Sequence, residues 1–108
     1  MNNILQRVQF LVESGQVRVS EHGYDELADD SLSARDVIAG VGEAREIEEY
    51  RQYGKGPCVL VLQHDSNDLP IHVVWEIPKG ANTPAVVVTA YRPDSERWDS
   101  TFTKRNRP

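Results

Sequence analysis

The chain has 108 residues, 39% of them hydrophobic and 27% charged, a composition that excludes both wholesale disorder and a membrane-spanning protein and suffices for one domain with one core. Its 12 basic and 17 acidic side chains leave a formal charge of −5, which excludes coating of nucleic acid by bulk attraction but leaves local recognition open. The lone cysteine, Cys58, excludes an intrachain disulfide.

The first residues lack a basic start and an unbroken apolar run, so no secretory signal is read and a cytoplasmic protein is expected. Ile4, Leu5, Val8, Leu11 and Val12 recur at helical spacing, which predicts an amphipathic helix over 3–14 that stops at Gly15, with Phe10 at the edge of its stripe. Val17 and Val19 around Arg18 predict a short strand. Ser20 is placed to cap a second helix over 21–29, with Glu21, Asp25 and Glu26 in its first turns and Tyr24, Leu27 and Ala28 inward. Ser33 and Asp36 resemble a capping box opening a third helix over 34–41, which buries Val37, Ile38 and Val41 and ends at Gly40 and Gly42.

Strands follow over 45–50, 58–63, 71–77 and 85–91, separated by turns rich in Gly, Pro, Asp and Asn and closed by Pro93. Short turns between apolar strands predict an antiparallel meander. Helices first and strands later predict an α+β fold: two or three N-terminal helices on one face of a four- to five-stranded, mainly antiparallel sheet, in a single domain over 1–108. Ile71, Val73, Trp75 and Ile77 form one apolar face, while Val86 and Val88 oppose Val87. The central strands are therefore partly apolar on both sides, which a shallow groove on the face away from the helices or a contact with a second copy would explain. Lys104, Arg105 and Arg107 give the chain a basic tail over about 103–108.

No nucleotide fingerprint is present: Gly54-Lys55-Gly56-Pro57 lacks phosphate-loop spacing and reads as a turn, from which Lys55 could reach a phosphate. No metal site is expected. His72 and Glu76 share a strand face, but four residues of extended chain span ~13 Å, and Cys58 and His64 are farther apart still. Cys58 reads as core and His64 as solvated. His22, in the first turn of a helix, reads as a surface or capping residue or as a catalytic one; His72, in an apolar strand, reads as a half-buried structural histidine or as a catalytic one. Thr89, Tyr91 and Arg92 put a hydroxyl, a phenol and a guanidinium at the end of a valine-rich strand. Trp98 and Phe102, four apart, predict a last helical turn packed on the sheet.

Ser20-Glu21-His22, the series from Ser33 to Ile38, Ile47-Glu48-Glu49-Tyr50, the run from Gly56 to Leu62, the run from Leu69 to Val74, Thr89-Ala90-Tyr91-Arg92-Pro93-Asp94 and Trp98 together resemble the bacterial domain of unknown function 4258 (DUF4258), over about residues 19–105. That family is similar to RelE-like toxins of toxin–antitoxin pairs. The resemblance implies helices on an antiparallel sheet, RNA cleavage without a metal or other cofactor, and a cognate antitoxin, in such families often a zinc-ribbon protein. The acidic balance departs from the basic RelE-like pattern, which a neutralising partner, a restricted substrate or loss of activity would each accommodate. Metal-free cleavage needs a base for the ribose 2′-OH, an acid for the leaving 5′-oxygen and cations for the phosphorane. His22 and His72 are expected as the acid–base pair, with Tyr91 beside them and Lys55, Thr89, Arg92 and Arg105 holding phosphate. The competing expectations are a noncatalytic interaction module and an acidic mimic of nucleic acid.

Overall fold

The N-terminal helix forms where the apolar spacing demands it. In the computed structural model, which describes residues 3–52 and 54–106, α1 spans Ile4–Glu13. Its start is a reciprocal cap: the Asn3 side chain accepts from the Gln6 amide at 2.8 Å, and the Gln6 side chain accepts from the Asn3 amide at 3.0 Å. Gly15, at φ +78°, turns the chain into β1, Val17–Val19. Arg107 of the expected basic tail lies outside the described residues.

Ser20 caps α2, Glu21–Asp29, by accepting from the Gly23 amide at 2.9 Å. The inward face differs from expectation: Gly23 and Leu27 are buried, whereas Ala28 is exposed and Tyr24 is 57% exposed. The cause is close approach, because a Cβ on Gly23 would lie 2.6 Å from the Val87 carbonyl oxygen. The helix rests on the sheet through Gly23 and Leu27, which turns Tyr24 outward. Ser33 caps α3, Ala34–Ala39, and a 3₁₀ turn over Gly40–Glu43 follows it and buries Val41. The expected third helix is thus two short pieces.

The sheet has five strands in the order β1-β5-β4-β3-β2, with β2 at Arg45–Tyr50, β3 at Cys58–His64, β4 at Pro70–Glu76 and β5 at Ala85–Tyr91. Strands β2 to β5 form the antiparallel meander, while β1 adds to β5 in parallel, a pairing the meander reading did not include. The architecture is α+β with the helices on one face. Val59, Val61, Val73, Trp75 and Val87 of that face share one core with Ile4, Val8, Leu27 and Val37. Trp75 is fully buried there; its indole N–H donates to Gln63 Oε1 at 2.8 Å, and the Gln63 amide donates to the Val37 carbonyl at 2.7 Å. Truncating such a tryptophan costs about 3–5 kcal/mol.

Alternation sends the other residues to the second face. There the register lines up Tyr50, Cys58, Glu76, Val86 and Arg18 in one row across all five strands. The next row holds Glu48, Leu60, Val74 and Thr89, and the third holds Arg45, Leu62, His72 and Tyr91. Residues 94–106 fold over this third row. They form no helix, which corrects the expected helical turn at Trp98 and Phe102. The Asp99 carboxylate instead accepts from the Thr101 hydroxyl and from the Thr103 and Lys104 amides, which turns the chain back so that Trp98 bridges to Arg105. Among the described residues no helix is long and apolar enough to cross a membrane.

Candidate functional site

The end of the second face left open by residues 94–106 is a groove of about 650 Å³. Val74, Val86, Val88 and Cys58 line it with apolar surface, and Glu76 reaches it from the middle strand of the first row. Arg18 lines it from edge strand β1, Tyr50 from edge strand β2, Lys55 from the β2–β3 turn and His22 from the start of α2.

Two glycines set this geometry. Gly23 lets α2 lie directly on β5, and the Ser20 hydroxyl reaches the Val88 carbonyl at 3.4 Å, so the joint carrying His22 is pinned to the sheet. Gly56, at φ +135°, would place a Cβ 2.2 Å from the Ile77 carbonyl oxygen. The turn is bonded to the end of β4 through Lys79 N–H to the Lys55 carbonyl and Ile77 N–H to the Pro57 carbonyl, both at 3.0 Å. Lys55 is thereby held near Glu76.

Burial raises the Glu76 carboxyl above its ordinary value, and the charges of Lys55 and Arg18 pull it back. Burial, reinforced by the Glu76 charge, pushes the Cys58 thiol up, which keeps it protonated. His22 is exposed at the rim, its Nε2 3.3 Å from Glu26 Oε1. Among the described residues neither Arg18 nor Lys55 has a carboxylate oxygen within ion-pair distance. A half-buried carboxyl, an accessible imidazole and two uncommitted cations can bind a phosphodiester and exchange protons with it.

Of the residues expected from sequence, His22, Lys55 and Thr89 line the groove. His72 does not, and the structure does not bring the two imidazoles into one cleft. His72 has no exposed surface. Its Nε2 lies 2.7 Å from the Phe102 carbonyl, which can only accept, so Nε2 carries the proton and Nδ1 accepts from the Tyr91 hydroxyl at 3.3 Å. Trp98 covers the ring edge-on at 4.4 Å. An imidazole so enclosed and so engaged cannot take a substrate proton, and Tyr91 is turned to it.

Arg92 is likewise committed: its guanidinium pairs with Asp65 at 2.6 Å and donates to the Pro70 carbonyl at 3.2 Å. Arg105 donates to both oxygens of Glu48 at 3.2 Å and lies 4.9 Å over Trp98. Tyr91, Arg92 and Arg105 border a different depression, under residues 94–106. As expected, Cys58 is buried and His64 exposed.

Sequence reasoning missed Glu76, Arg18 and Tyr50. Parity in β4 already put Glu76 on the face of His72 and Val74, so its orientation was available. Arg18 was not, because only the parallel β1–β5 pairing brings it into the row.

Residues 19–92 match the family described as a domain of unknown function, DUF4258. No curated protein matches the chain, and no solved structure does.

Proposed function

The chain belongs to the DUF4258 family, and on that premise we propose that its open groove binds single RNA phosphodiesters and cleaves them with side chains alone, as a RelE-like toxin would. The observation that carries this reading is Glu76 in one row with Arg18 and beside Lys55, with His22 on the rim. Glu76 takes the proton of the ribose 2′-OH as that oxygen forms its bond to phosphorus. The bond from phosphorus to the 5′-oxygen breaks, and protonated His22 supplies the proton to that oxygen. The products are a 2′,3′-cyclic phosphate and a 5′-hydroxyl end. Arg18 and Lys55 offset the charge of the phosphorane. Glu76 thus replaces His72 in the pair expected from sequence. A cognate antitoxin, of zinc-ribbon or other class, silences the groove by covering it.

The test is incubation of the purified chain with single-stranded RNA, followed by end-group analysis. Cyclic-phosphate ends are expected, with the rate unchanged by chelator and reduced about 100-fold or more in Glu76→Gln and in His22→Ala. The wild-type rate climbs with pH through the ionisation of Glu76, above the ordinary 4.5, and Glu76→Gln removes that limb. Intact RNA, or cleavage indifferent to both substitutions, overturns the proposal. Growth arrest on expression, relieved by the partner, is the corresponding result in cells.

A further inference from the structure

Tyr50 is half-buried at the groove wall, and its hydroxyl is occupied elsewhere. It donates to Glu48, two residues back on the same face of β2. Glu48 is gripped by both terminal nitrogens of Arg105, and Arg105 is seated on Trp98. The hydroxyl is thereby tied along β2 toward Arg105, while the residue lines the groove together with Cys58 and Val74. The family match ends at residue 92, so this hold on the groove wall comes from chain beyond the matched segment.

We propose that the Tyr50 ring is the platform on which an unpaired nucleobase of single-stranded RNA stacks, and that the Arg105–Glu48 pair positions it. The inference rests on the RNA reading of the groove and names its substrate class. Stacking on an aromatic ring is tolerant of base identity, since every base has a π-face. The phenol proton is committed to Glu48, so the hydroxyl has none to donate to a base edge. Bases of a duplex are already stacked on each other and cannot reach a ring set into a wall. Selectivity is therefore for strandedness, not sequence.

The test measures binding of the full chain to a 2′-O-methyl adenosine 12-mer, which lacks the attacking hydroxyl, to its duplex with the complementary 2′-O-methyl strand, to a 2′-O-methyl uridine 12-mer and to inorganic phosphate. The two single strands are expected to bind within about threefold of each other and the duplex about 10-fold more weakly. Tyr50→Leu weakens single-strand binding about 10-fold and Tyr50→Phe only several-fold, because the ring remains while its tie to Glu48 is lost. Arg105→Ala weakens it several-fold and Arg105→Lys restores part, while phosphate affinity stays at the wild-type value in all four variants. Unchanged single-strand affinity in Tyr50→Leu, equal duplex binding, or a parallel loss of phosphate binding overturns the platform. Wild-type protein that takes neither strand nor phosphate overturns the RNA reading of the groove itself.

Discussion

A proton added to His72 would have to enter at Nδ1, where the ring already accepts from Tyr91, in a site without exposed surface. Burial lowers its pKa below 6.5, the Phe102 carbonyl opposes that, and the Arg105 charge adds to it. The unfolded chain takes up this proton near 6.5 and the folded chain does not. The unfolded state then binds more protons, so stability falls as pH drops from 6.5 toward the lowered folded value. The slope in that window is at most about 1.4 kcal/mol per pH unit. Urea denaturation of wild type at pH 7.5 and 5.5 should show the loss, and His72→Gln should lack it. The carboxyls of Glu48, lowered by Tyr50 and Arg105, and of Asp65, lowered by the Leu69 amide and Arg92, act in a separate window. Their stabilisation is present above 4.5 and 3.8 respectively and fades only as pH falls through their lower folded values.

Among the elements, the two connections into the groove depend on missing side chains. Gly15, Gly23 and Gly56 separate the reasons. Gly15 has a positive φ and open space around it, so Gly15→Ala meets backbone strain alone, about 1 kcal/mol. Gly23 has ordinary φ but no room, and Gly23→Ala must push α2 off β5, at a cost of about 1–3 kcal/mol. Gly56 has both a positive φ and no room, so Gly56→Ala should be the most damaging. Urea midpoints should fall in that order. Gly23→Ala should also shift the His22 ring resonances, which Gly15→Ala leaves in place. The same packing explains why the helical stripe misled at Tyr24 and Ala28: the spacing identified a helix, but contact through Gly23 chose its face.

On the scale of the whole molecule, a formal −5 repels a polyanion at long range, so attraction to the groove is local. If Arg18 and Lys55 are the phosphate contacts, log affinity for single-stranded RNA should fall with log salt at a slope of about −1.4, far shallower than for a basic nucleic-acid binder. A steep slope would place the contacts elsewhere. The helices, the meander and the apolar face through Ile71, Val73, Trp75 and Ile77 were readable because 3.6- and 2-residue periods are written in consecutive residues. Capping by Ser20 and Ser33 is equally local. The partner of β1 was not readable, since three residues carry too little pattern to fix an edge pairing, and with it went the row that joins Arg18 to Glu76. Nor could chain order reveal that Trp98 and the Phe102 carbonyl would seal His72 while leaving His22 in the open. Local spacing settled which residues form helix and strand; long-range strand register and the fold of residues 94–106 decided which polar side chains are enclosed by protein and which meet solvent.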